Sequence, residues 1–260
     1  MKDKLEQFFN NSFIVLTCVP YEYISQDFLH EIYLDALKID GKKLQFVEPE
    51  KFTAEQYLTL CSAAIEQNAF ALEWVDVSAI DAAHYREFCR QAVKQNGFSL
   101  YFVKKDYFQN DQGKLTALYH TAVKQNSDTL QLIQDQTVEL CTLAVKKNAR
   151  ALQWVNQALF SKEEYGEICC TAVCEKRHHV FLDGIFEPGF DINHIKNYQA
   201  LRFVNKDRLS PEKYKEICLN AITYSDESIP FVDEPLWRDK DFCTEAVKLS
   251  KKAEKYAVFT

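Results

Sequence analysis

Apolar residues return along this chain with two nested periods. Over stretches of about fourteen residues they fall three and four apart, the spacing of one helix face. The stretch then recurs as a whole. Ala92-Val93-Lys94-Gln95-Asn96 comes back as Ala122-Val123-Lys124-Gln125-Asn126 and as Ala144-Val145-Lys146-Lys147-Asn148. With the alanine as position zero, an apolar stripe occupies minus seven, minus four, minus three, zero and plus one. Minus three is Cys61, Cys89, Cys141, Cys169, Cys218 or Cys243, and minus seven is often tyrosine: Tyr57, Tyr85, Tyr165, Tyr214. Further on, plus eight is aliphatic (Leu44, Leu72, Leu100, Leu130, Leu152), plus ten is large and apolar (Phe46, Trp74, Phe102, Trp154, Phe231), and plus eleven is Val47, Val75, Val103, Ile133 or Val155.

Boundary signals agree with this frame. Ser25, Thr53, Asp81, Ser161 and Ser210 stand at minus eleven, each able to accept from the free amides of a first helical turn. Ser161 to Glu164 has capping-box spacing, and Pro211 follows Ser210 as a favoured first helical residue. Ile24, Phe52, Ile80, Phe160 and Leu209 precede the caps, where a hydrophobic staple acts. Asparagine at plus four (Asn68, Asn96, Asn126, Asn148) predicts a left-handed helix end. Each unit reads as a long helix, a turn and a short helix carrying Leu-x-aromatic-Val.

The fold class expected is all-α: a solenoid of stacked two-helix repeats of about 28 residues, coiled as a right-handed superhelix, with residues 1–260 as one domain. The register alanines are Ala36, Ala64, Ala92, Ala122, Ala144, Ala172, Ala221 and Ala246. Between Ala172 and Ala221 the gap is 49 residues; Leu201, Phe203 and Val204 fit a degenerate unit centred on Asn193. Leu16, Cys18 and Val19 fit a first unit centred on Phe8, which brings the count to ten with atypical ends. The spacings of 22 and 21 predict changes of curvature, and residues 183–193, with Gly184, Pro188 and Gly189, are the expected hinge.

Composition narrows function. Six glycines, where ordinary usage gives about 18, argue against glycine-lined phosphate loops. G-x-G-x-x-G, the P-loop, H-E-x-x-H and G-x-S-x-G are all absent, so no catalytic residue and no cofactor is expected. A net charge of -7 disfavours a nucleic-acid partner. No run approaches the roughly 18 apolar residues of a membrane span, so no membrane partner is expected. Nine cysteines without a signal peptide read as a reducing compartment.

Candidate chemistry sits in a few places. The six cysteines at minus three read as a packing column. Cys170, Cys174 and His178, spaced four apart on another face, could bind zinc with His179 or His194 nearby, although no C-x-x-C pair exists; a reactive thiol or an inert surface are the other readings. Glu163 and Glu164 suit a helix's first turn. The plus-ten aromatics read as core, whereas Trp237, after Pro235, reads as a contact surface. Arg86, Arg90, Lys94, His120, Lys124 and Lys146 occupy outward positions minus six, minus two and plus two, a basic ridge on an acidic chain. That ridge reads either as solvated helix faces or as a docking strip for an acidic protein.

Ala-Val-Lys-Gln-Asn followed by Leu-x-Phe-Val resembles the short helical repeat family catalogued as domain of unknown function 4116, over about residues 26–248. The resemblance implies a helical repeat fold in a bacterial protein, including effectors that pathogens inject into host cells. It implies a bacterial cytoplasmic location or delivery by a secretion system, and it carries no catalytic residues. The function expected is protein–protein recognition, as adaptor, effector or effector partner. An enzyme site assembled across repeats near 170–194, a helical-repeat RNA reader and a structural spacer are the alternatives. The run Leu249 to Thr260 reads as an export signal or as a capping helix.

Overall fold

A computed structural model describes residues 25–174 and 197–258, which are helical with no strand among them. The chain divides into two compact units, Met1–Asn126 and Ser127–Thr260. The first holds α1 (Gln26–Ile39), α2 (Ala54–Gln67), α3 (Ala82–Gln95) and α4 (Gln112–Gln125). The second holds α5 (Val138–Lys147), α6 (Lys162–Cys174), α7 (Pro211–Tyr224) and α8 (Lys240–Leu249). In each unit the α-helices pack in sequence order as one layer, and six- or seven-residue 3-10 helices pack in order as a second layer. Helical repeats stacked neighbour on neighbour are therefore present in both. The hinge expected at 183–193 and the first unit centred on Phe8 lie outside the described residues.

The α-helices begin as their caps require. Thr53 and Gln56 form a reciprocal capping box, as do Ser161 and Glu164. Ser210 accepts from Lys213 N ahead of Pro211. Each apolar stripe is buried, and the six minus-three cysteines are all fully enclosed.

Asparagine at plus four does not take the left-handed conformation. Asn68 has φ -147° and ψ 111°, and Asn96 and Asn148 are alike. The reason is a double duty. The Asn68 amide donates to Ala64 O (2.9 Å) and closes α2, while its side-chain oxygen accepts from Phe70 N (3.0 Å) and starts the next helix. Asp40, Ser225 and Ser250 do the same work. Only an extended residue can point its side chain forward along the new axis.

The second element is a 3-10 helix, and this changes which residues face inward. Three residues per turn put plus five, plus eight and plus eleven in one row. That row is buried: Gly41, Leu44 and Val47; Ala69, Leu72 and Val75; Gly97, Leu100 and Val103. Plus seven, small in every described repeat but the first (Ala71, Ser99, Thr129, Ala151, Ser228, Ala253), is fully enclosed. The plus-ten aromatics are displaced from the row. Phe46 is 50% exposed, and Trp74, Phe102, Trp154 and Phe231 are half-buried, so that column is core on one side only.

Two side-chain columns tie the layers together. The amide at plus twelve is held from the start of the same α-helix. Tyr57 Oη accepts from Asp76 N (2.9 Å), Tyr85 Oη from Lys104 N (2.9 Å), and Tyr214 Oη from Asp233 N. Just ahead of α5, Gln136 Oε1 substitutes, accepting from Asn156 N (2.8 Å). In the α8 repeat the Trp237 carbonyl does, accepting from Val258 N (3.0 Å). Glutamines at plus three reach the preceding repeat: Gln67 Oε1 accepts from Gly41 N (2.7 Å) and its Nε2 donates to Ile39 O (3.1 Å), while Gln125 Oε1 accepts from Gly97 N (2.9 Å).

The same bond reassigns the segment that ends at Val204. Tyr165 Oη accepts from Asn205 N (3.0 Å), 40 residues on, where Tyr57 and Tyr85 reach 19 residues on. The 3-10 helix Asn197–Phe203 packs against α6, beside Ala149–Trp154 and Asp226–Phe231, and α6 packs directly on α7. The long helix expected around Asn193 lies outside the described residues. Leu201 and Phe203 close the α6 repeat in the slot that the register assigned to Val180 and Leu182, and about 21 additional residues separate the two halves of that repeat.

Trp237 is also corrected. It is 4% exposed and its indole packs on Phe242 and Tyr256. Helix α8 starts late, with its cap Asp239 at minus seven, so the tryptophan turns inward to fill the place of the missing tyrosine.

Two stability outcomes follow. A β-carbon on Gly41 would lie 2.2 Å from Ala64 O, a backbone atom that cannot swing aside, so Gly41→Ala should cost about 1–3 kcal/mol in urea unfolding. Burial pushes the thiols of Cys61, Cys89, Cys169 and Cys218 up to about 12, and the Tyr57 and Tyr85 hydroxyls upward as well. Unfolded thiols release protons near 9.0 while folded ones keep them, so stability should be flat at neutral pH and fall as pH rises above about 9. Denaturant midpoints under reducing conditions at neutral and alkaline pH check this, and Cys89→Ala should flatten the fall.

Candidate partner-binding groove

Helices α3 and α4 leave between them a cleft of about 310 Å³. Its floor is apolar: Ala83, Phe108, Ala117 and Leu118. Its rim carries Arg86, Arg90 and Lys114 with one carboxylate, Glu87. Phe108 comes from the short 3-10 helix Lys105–Phe108 that links the helices, and its buried ring holds their N-terminal halves apart.

The rim charges are placed by local bonds. Arg86 Nη1 donates to Tyr107 O (3.0 Å), which fixes the half-buried guanidinium against the linker. Arg90 grips Glu87 through both nitrogens, Nε at 2.7 Å from Oε2, and this holds the Glu87 carboxyl below its ordinary range. Lys114 pairs with the cap Asp111 at 2.6 Å. Arg90 and Lys114 are exposed, and ion pairs of this kind are worth only about 0–1 kcal/mol, so an arriving carboxylate can share or replace Glu87 at little cost.

The six ridge residues thus separate into roles. Arg86 and Arg90 line the groove. Lys94 and Lys124 are exposed one or two turns along α3 and α4, and His120 is half-buried on α4. Lys146 is exposed on α5, in the other compact unit. Lys114, Phe108 and the small floor residues Ala83 and Ala117 escaped the sequence reading. Two alanines at outward helix positions beside a basic column were the available signal.

A second polar cluster lies in the other unit. Lys213 Nζ donates to Glu167 Oε1 (2.8 Å) and Glu216 Oε1 (3.2 Å), and Cys170 Sγ lies 3.8 Å from the same Glu216 oxygen. Burial pushes the Cys170 thiol up and the Cys174 thiol up to about 11. The Lys213 ammonium bridges both carboxylates, and no set of three or more His, Cys, Asp or Glu suited to a metal exists among the described residues. His178, His179 and His194 lie outside those residues.

Compared with family models, curated proteins and solved structures, the chain matches none. Among the described residues no helix is long and apolar enough to cross a membrane.

The raised thiols make a kinetic prediction. Alkylation of Cys174 by iodoacetamide at neutral pH should run at least about tenfold slower than that of a free thiol, since only the thiolate attacks. Rates from mass spectrometry of peptides containing Cys174 check it.

Proposed function

We propose that this chain is a protein-recognition module whose α3–α4 groove takes an acidic segment with an apolar edge from another protein. The observation that carries the reading is the groove's make-up: three cations above a floor of Phe108, Ala117 and Leu118. Apolar burial in the floor supplies affinity, and the rim selects for charge and speeds encounter. Where they occur, the other distinctive side chains (the tyrosine, the glutamine and the capping asparagine) are spent on holding the stack. The resemblance to the helical repeat family supports reading the protein as a bacterial adaptor or effector, or as the partner of one.

An acidic helical peptide with leucines spaced three and four apart is the probe, with fluorescence anisotropy as the readout. The pair Arg90→Glu and Lys124→Glu should weaken its binding at least about tenfold while thermal unfolding stays unchanged. Equal binding by the reversed protein would remove the proposal.

A further inference from the structure

The charges of the first compact unit are not scattered. Counting histidine as neutral, α1 holds Asp27, Glu31 and Asp35 against Lys38, and α2 holds Glu55 and Glu66. Helix α3 holds Arg86, Arg90 and Lys94 against Glu87, and α4 holds Lys114 and Lys124. In layer order the four helices therefore carry -2, -2, +2 and +2. All of these side chains except the half-buried Arg86 are exposed. Asp27 accepts from the neutral amide of Gln56, and Asp35 is bonded to Lys38 on its own helix.

One half of this face has the chemistry that the other half's groove accepts. Asp27, Glu31, Asp35 and Ile39 follow at intervals of four on α1, three carboxylates and then an isoleucine 54% exposed. The α3–α4 groove offers Arg86, Arg90 and Lys114 around an apolar floor. Within one molecule α1 and the groove are held apart by α2, because the helices pack in sequence order. The two can meet only between molecules.

We infer that the occupant of the groove is α1 of a second copy of this chain, in a two-fold symmetric dimer of the α-helix layers. A two-fold axis parallel to the helices sets the order α1, α2, α3, α4 against α4, α3, α2, α1. All four juxtapositions then join -2 to +2, and each groove receives the partner copy's acidic stripe and isoleucine. Parallel stacking of the same faces would oppose like charges throughout. The inference rests on the proposed role of the groove and names its partner.

Sedimentation of the full-length chain tests it. The protein should be a dimer at low salt and dissociate as salt rises to about 0.5 M, where the screening length is only a few ångströms. Glu31→Lys with Asp35→Lys, and separately Lys114→Glu with Lys124→Glu, should each give a monomer with unchanged helical circular dichroism, because α1 and α4 then carry the same sign. Mixing the two reversed proteins should restore a one-to-one dimer, because all four juxtapositions then join +2 to -2 again. A wild-type monomer at low salt, or reversed variants that dimerise as well as wild type, would overturn it. If the chain stays monomeric yet binds the acidic peptide, only the second-copy assignment fails; if it does neither, the groove is not a recognition site.

Discussion

Every described repeat but that of α6 turns on one extended residue four places after the register alanine. It ends an α-helix with its amide and begins a 3-10 helix with its side chain, so two helix termini are satisfied by a single position. No loop intervenes, and the angle between the two elements is set by one pair of dihedrals. Because asparagine, aspartate and serine all do this work, the joint recurs with one geometry in both compact units. The layer of α-helices and the layer of 3-10 helices are consequences of that joint. Tyrosine at minus seven and glutamine at plus three then brace it from within and from the next repeat.

What could be read from the sequence was whatever is local and periodic. The α-helix stripe, the minus-eleven caps and the cysteine column all rest on spacings of three and four repeated many times. The 3-10 face was harder. It spans two turns, its inward row is Gly41 or Ala69 followed by a leucine and a valine, and small residues carry little hydropathy. Bracing of the plus-twelve amide could not be seen as one feature, because tyrosine, glutamine and a tryptophan carbonyl perform it with no shared chemistry. The Leu-x-Phe-Val ending at Val204 was located correctly and given to the wrong helix: a short motif says nothing about which partner it closes on. Trp237 was misplaced because α8 begins a turn late, and a residue just before a cap changes face when the cap moves.

The groove was half visible. Arg86 and Arg90 were placed by register, but Lys114 was not, and the Phe108 of the floor comes from a link of four residues whose length differs from repeat to repeat. Structural columns set the backbone, leaving outward positions free to vary from helix to helix. The reversal of sign between α2 and α3 uses that freedom without touching a single core residue. Stability and surface charge are thus written in different columns of the same repeat.

The α6 repeat keeps its tyrosine bond and its place between neighbours although some twenty residues have been spliced between its halves. Its two layers are joined by side chains as well as by the peptide backbone, so covalent continuity at that point is dispensable to the architecture. The junction after an α-helix is therefore a port. Sequence of foreign origin can enter there, or the chain can be cut and its ends rejoined elsewhere, and the stack still finds its register from the bonds that cross it.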